Sequence, residues 1–225
     1  MSDDPRFFSE LVGQMRAMRR LKPDPVPVEL IEKVLAAGVQ APSGMNSQPW
    51  KFLVLSSRED VAWYADRYKA AIESRFAGFF EREIEGDGGG PRQLRALKWQ
   101  AEHMHTFPLI LLVFGERDWP FKVPPEERVG LAPPNYGAIY PCVQNILLAC
   151  RAVGLGAGLT TMHQMFEDEL LDRFAVDDAF GIVASIPIGW PLGKFGPVTR
   201  IPATEKTFYG RWGEQAPPGD VLGEG

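Results

Sequence analysis

Reactive side chains are scarce in this chain: its 225 residues include only two cysteines, Cys142 and Cys150, and three histidines. The cysteines lie eight positions apart within one helical stretch. At 1.5 Å per residue that is about 12 Å along the axis, beyond the roughly 7 Å that a disulfide tolerates. They do not pair with each other, and a reducing cytoplasmic setting is expected. No Cys/His set has zinc-ligand spacing, and His103 and His105, two residues apart, point away from each other on a helix. There is no G-x-S-x-G nucleophile elbow. A chain with these gaps is either not an enzyme or takes its chemistry from a cofactor.

Long hydrophobic runs are missing too. The longest, residues 108–114, has the length of a strand, well short of the ~18 residues that span a bilayer. The opening MSDDPRFFSELVGQ has no apolar core of a signal peptide. Neither membrane nor secretion is expected. Positive charge is in deficit, with a net charge of -5 and a pI near 5.3, which argues against nucleic acid as a partner. Any anion site must come from a local cluster of Arg and Lys.

What is present is enough apolar material, 45%, for one domain with a real core. Helical spacing of apolar residues predicts helices over 7–20, 28–39, 58–85, 92–106 and 136–153. KPDPVP, residues 22–27, stops the first of them. The last has a single charge, Arg151, and is expected to be buried nearly all round. KFLVL (51–55), LILLVF (109–114) and FGIVASIPI (180–188) read as strands, the second covered on both faces. GDGGGP (86–91) is expected to be neither helix nor strand, and residues 119–135 are too Pro-rich for a regular element. Residues 189–202 suggest an extended tail, and Tyr209 and Trp212 beyond it need something to bury them. Strands and helices intermix without a βαβ repeat, which favours an α+β class.

Four places carry possible chemistry. Arg16, Arg19, Arg20 and Lys22 form a cationic patch with no acidic residue between Leu11 and Pro23. On a helix, Arg16 and Arg19 share a face and can clamp a phosphate, although arginines at a helix C-terminus also simply complement its dipole. The loop APSGMNSQPW, residues 41–50, offers backbone and side-chain donors at Ser43, Gly44, Asn46 and Gln48, as a planar heteroaromatic ring requires. An ordinary helix-to-strand connection uses the same residue types. GLGAGLTT, residues 154–161, has the wrong spacing for a dinucleotide fingerprint and follows a helix rather than a strand. Gly154 fits a helix C-cap, and Thr160 and Thr161 begin a segment whose amides can face a ligand or merely form a turn. Arg200, between prolines in PVTRIP, is a lone cation that suits solvent as well as a ligand.

Taken in order, RAMRRLKP (16–23), APSGMNSQPW (41–50) with its strand, QNILLACRAVGLG (144–156) and IPIGWP (186–191) resemble the FMN-dependent nitroreductase family across about residues 7–212. The 41–50 loop is the most specific of these motifs. The resemblance implies an α+β sandwich, with a central, mostly antiparallel sheet flanked by helices and an extended C-terminal arm. It implies one domain over residues 1–225, with variable insertions at 82–94 and 119–135 and a flexible tail at 213–225. It further implies a homodimer with two FMN sites at the interface. Arg16, Ala17, Arg19 and Arg200 would meet the phosphate and ribityl end. Pro42, Ser43, Gly44, Asn46 and Gln48 would line the flavin, from the partner subunit, and Thr160 and Thr161 would pass near its ring. The family's first motif often reads Arg-Arg-Ser-x-Arg where this chain has MRAMR, residues 15–19, so phosphate binding leans on Arg16, Arg19 and Arg200. The implied reaction is ping-pong hydride transfer from NADPH or NADH, through FMN, to an electron-poor acceptor such as a nitroaromatic or quinone. A family branch with other flavin chemistry, a flavin-binding protein with little turnover, and a flavin-free anion-binding module stand as alternatives.

Overall fold

The computed structural model describes residues 5–117 and 136–214. Its centre is an antiparallel sheet of four strands, β1 (Trp50–Leu55), β2 (Leu109–Glu116), β3 (Gly156–Ala157) and β4 (Phe180–Gly189), in the order β1-β2-β4-β3. β2 is buried along nearly its whole length because each face has its own cover. Strand side chains alternate between faces. Ile110, Leu112 and Phe114 therefore join Tyr64, Tyr68 and Ile72 of α3 (Arg58–Arg75), while Leu109, Leu111 and Val113 join Ile31 and Val34 of α2 (Val28–Gly38) and Ile139, Val143 and Ile146 of α5 (Tyr136–Ala152). The first layer also takes α4 (Gly89–His103) and α6 (Glu167–Arg173). This is the α+β class that the order of elements favours, with the central antiparallel sheet flanked by helices that the resemblance implies.

A bulge shapes the centre of β4. Val113 pairs with Ala184 and Phe114 with Ile182, so Val183 is the extra residue. The insertion shifts the alternation by one. Val183, Ala184 and Ile186 all face the α5 layer, and Ser185 turns toward α3.

Several elements depart from the sequence pattern. The first helix, α1 (Pro5–Gln14), ends six residues before Arg20. Backbone pairing takes the next stretch: Met18 N–H donates to Ala157 O at 2.9 Å, Lys22 N–H to Trp190 O at 2.7 Å and Leu192 N–H to Arg20 O at 3.0 Å. Met18 and Leu21 are buried under that ladder, so tertiary pairing outweighs helix propensity. The helix expected to run to residue 85 stops at Arg75, where Gly78, at φ +70°, turns the chain and gives its N–H to the Glu73 carboxylate at 2.5 Å. Gly89, Gly90 and Pro91, expected to be irregular, form the first turn of α4. The first turn has no intrahelical use for its N–H groups, so proline fits there. α5 buries one face only, with Tyr140 40% exposed. The two-residue β3 has no strand pattern of its own and exists because β4 offers it an edge. Residues 119–135 and 215–225 lie outside the described residues.

Candidate active site

The predicted residues fall into two groups at opposite edges of the sheet. The first is built where residues 15–22 run beside β3 and the strip that follows it. Gly154, at φ +80°, ends α5 in a Schellman turn: Leu155 N–H reaches Cys150 O at 2.8 Å and Gly154 N–H reaches Arg151 O at 3.2 Å. That turn sends the chain into β3. A β-carbon on Gly158 would stand 3.6 Å from that of Ala17, so the two segments are in contact. Thr160 then pairs with Ser185 in both directions, N–H to O at 2.9 Å and O to N–H at 3.1 Å. Arg19 is half-buried and close enough to Tyr68 to favour its phenolate, as does the Thr160 hydroxyl, although burial dominates and raises the Tyr68 pKa. Ala17, Arg19, Thr160 and Thr161 thus share one corner. Thr161 is exposed, and its N–H has no acceptor among the described residues.

Arg16 and Arg19 do not share a helix face, because that stretch is not helical. Arg16 turns to the tail, donating to Lys194 O at 3.2 Å, while the charge of Arg19 is felt at Tyr68 of α3. The tail runs antiparallel to the N-terminal segment, with Val198 N–H on Gly13 O at 2.9 Å. Arg200 lies two residues past that contact, on the side away from Arg16, and its guanidinium reaches Thr199 O at 2.9 Å. The structure therefore brings the Arg16 guanidinium to Lys194, which the sequence reading missed, and leaves Arg200 apart. None of Arg16, Arg19, Lys194 and Arg200 pairs with a carboxylate among the described residues. Arg67, Arg95, Arg117 and Arg173 all do.

The second group is the loop leading into β1. Ser43 is half-buried, and Pro42, Gly44, Asn46 and Gln48 are exposed. The loop is held by its own contacts: Gln48 N–H donates to Ser43 Oγ at 3.0 Å, and the Gln48 side chain to Asn46 O at 3.3 Å. Met45, Asn46 and Gln48 all have φ near +50°, a region that L-residues enter at a cost of about 1–2 kcal/mol each. Strain of this kind persists where the surroundings fix it, and it collects at binding loops. The loop leads into β1 and the Thr160 strip follows β3, the two edge strands, which lie three strand spacings or about 14 Å apart across the sheet.

Behind the strip lies a buried polar cluster that the sequence reading did not find. His163 is fully buried, with Nδ1 3.0 Å from Ser185 Oγ and Nε2 3.1 Å from Ile182 O. A carbonyl only accepts, so Nε2 carries the proton and Nδ1 accepts from the serine. Burial pushes the His163 pKa down, against the opposing Ile182 carbonyl, so the ring is neutral. Tyr64, fully buried beside Ser185, has its pKa pushed up by desolvation; the serine counters this without reaching hydrogen-bond geometry. Tyr68 donates to Gln100 Oε1 at 3.3 Å. The one signal in the sequence was the lone hydroxyl within FGIVASIPI.

Among the described residues no group of His, Cys, Asp and Glu is arranged to hold a metal, and no helix is long and apolar enough to cross a membrane. Cys142 and Cys150 are buried free thiols with pKa values raised to about 11 and about 12 by desolvation, which leaves them unreactive.

Known proteins are similar to this chain. An iodotyrosine deiodinase of Thermotoga neapolitana is 26% identical over 186 residues, 83% of this chain and 89% of that protein. A nitrobenzene nitroreductase of Ectopseudomonas oleovorans is 27% identical over 212 residues, 82% of this chain and 86% of the other. The match to the rat iodotyrosine deiodinase covers only 37% of that protein's length. A nitroreductase with bound FMN from Desulfitobacterium hafniense superposes with a TM-score of 0.63 over 89% of this chain and 96% of its own, at 16% identity. The family model described as "Nitroreductase family" matches residues 12–190, which takes in the Arg16–Arg19 segment, the 41–50 loop, the whole sheet and the Thr160 strip, and the chain belongs to that family.

Proposed function

We propose that the protein is an FMN-dependent oxidoreductase working as a homodimer. Each site would take Arg16, Ala17, Arg19, Thr160 and Thr161 from one copy and Pro42, Ser43, Gly44, Asn46 and Gln48 from the other, with Arg200 joining from a tail. Bound FMN would supply the redox step, accepting a hydride from NADPH or NADH and passing it to an electron-poor acceptor such as a nitroaromatic or quinone. The observation that supports this most is the corner at Arg19 and Thr161. There the exposed Thr161, whose N–H has no acceptor among the described residues, lies beside Thr160, which with Arg19 acts on Tyr68, and Arg19 has no carboxylate partner among the described residues, in a chain whose net charge is negative.

The residues fit the group. Arg16 and Arg19 each carry charge-assisted donors of the kind that suits a phosphate. The Asn46 and Gln48 amides can both donate and accept at the edge of a heteroaromatic ring. The Thr161 N–H is a fixed dipole that would favour added electron density at the atom it faces. No protein nucleophile is needed, which agrees with the inert cysteines and the neutral, enclosed His163. The distance between the two groups within one chain supports the two-copy site.

The test is the visible absorbance of the purified protein, before and after NADPH is added without oxygen. Flavin bands that bleach are expected. A protein that stays colourless after incubation with FMN overturns the reading. The deiodinase relatives favour a second acceptor class, a halogenated phenol. Loss of halide from iodotyrosine incubated with the dithionite-reduced protein would select it over nitroaromatics.

A further inference from the structure

The Thr161 N–H has no acceptor among the described residues, but its neighbours on both sides are held. Thr160 is locked to Ser185 through two backbone hydrogen bonds. His163 is locked to the same serine through Nδ1, at 3.0 Å, and to Ile182 O through Nε2, at 3.1 Å. Ser185 therefore grips the strip twice, by its backbone before Thr161 and by its side chain after it.

The fold explains why this device sits here. β3 is two residues long, and past the Thr160 bridge β4 has lost its neighbour. The outward groups of Ile182 would be left bare at a buried edge. They are taken by side chains instead: Glu167 Oε1 accepts the Ile182 N–H at 3.1 Å and His163 donates to the carbonyl. The bulge at Val183 then turns Ser185 onto the His163 side of the sheet. Without it the hydroxyl would face α5 and the strip would have one anchor only.

We propose that Ser185 and His163 are positioning residues: the Ser185 hydroxyl, held by His163 Nδ1, fixes the aim of the Thr161 N–H toward the flavin ring. The inference rests on the flavin reading above and adds residues that lie behind the site rather than in it. Burial of the imidazole keeps it neutral and so keeps Nδ1 an acceptor, which the grip requires.

The test compares wild type, Ser185→Ala, Ser185→Thr and His163→Gln as FMN-loaded proteins. The glutamine amide has a donor for Ile182 O and an acceptor for the Ser185 hydroxyl, so His163→Gln can keep the grip, whereas Ser185→Ala removes it and leaves the bond to Ile182 O in place. Three quantities are read: FMN affinity from quenching of its fluorescence on binding, the shape of the bound flavin's visible bands, and the rate at which NADPH bleaches them. Ser185→Ala is expected to keep FMN affinity within about threefold, because the phosphate cations are untouched. It should change the band shape and slow bleaching about tenfold, as expected when a donor is misaimed by a fraction of an ångström. Ser185→Thr, which retains the hydroxyl, and His163→Gln, which retains its acceptor, should stay close to wild type in both. Band shapes and rates equal to wild type in Ser185→Ala would overturn the inference while leaving the flavin reading intact. A wild-type protein that takes up no FMN would overturn both.

Discussion

At the scale of single residues, the cations and the buried histidine behave in opposite ways. Arg19 stands half-buried with no carboxylate partner among the described residues, which suits a charge kept for a ligand. Removing one charge-assisted hydrogen bond costs about 1.5–3 kcal/mol, so Arg19→Ala should weaken FMN binding by roughly 10- to 100-fold, read by fluorescence titration. Arg200→Ala should have a smaller effect, because the tail carries Arg200 away from Arg16. His163 gives a pH signature instead. Its folded pKa lies below the usual 6.5, so in the window under 6.5 the unfolded chain holds the proton and the folded chain resists it. Stability should therefore be full above pH 6.5 and fall as the pH drops toward the folded pKa. Urea unfolding at a series of pH values should show that slope in wild type and not in His163→Gln. These two cases also mark what the sequence made legible. Arg19 and Thr161 stand out in the sequence because they belong to a local pattern. His163 and Ser185 were missed because they are 22 residues apart and meet only through the bulge in β4.

At the scale of elements, periodicity located α2, α5, β1, β2 and β4, and it failed where a neighbour decided the outcome. Residues 15–20 have helical composition yet lie extended, because β3 and residues 190–192 offer them backbone partners. No local rule contains that competition. The same holds for β3, a strand made by its neighbour. Packing between α2 and α5 gives a test. A β-carbon at Gly38 would stand 2.6 Å from Cγ1 of Ile146, near that side chain's branch point, where it cannot swing clear. Gly38→Ala gains up to about 1 kcal/mol of helix propensity but forces the helices apart at a cost of about 1–3 kcal/mol. A net loss is expected, visible as a lower urea midpoint, although alanine is the better helix former.

At the scale of the whole molecule, the chain leaves apolar surface without cover. Phe7 and Phe8 of α1 are 50% and 64% exposed, Ile201 57% and Trp212 91%. Arg151 ties α1 to the tail by donating to Gln14 Oε1 at 2.6 Å and stacking 4.2 Å over the ring of Phe195. The tail thus finds a home beside its own N-terminal segment as far as about residue 198, and beyond that Phe208 and Tyr209 are half-buried while Trp212, its ring 4.7 Å from that of Phe208, stays exposed. Sedimentation should find a dimer, and a chain ending at Pro202 should dissociate more readily and lose FMN with it. A monomeric full-length protein that holds FMN normally would refute the two-copy site.

The opposite placement of the 41–50 loop and the Thr160 strip has a genetic corollary. If every site draws its halves from different copies, a lesion in one half and a lesion in the other are not equivalent alleles of one defect. Co-expressed in equal amounts, an Arg19→Ala chain and a chain carrying Asn46→Ala with Gln48→Ala would assort at random, and half of the pairs would be mixed. Each mixed pair assembles one site with both lesions and one with none. Two inactive genes would together restore about a quarter of the wild-type sites.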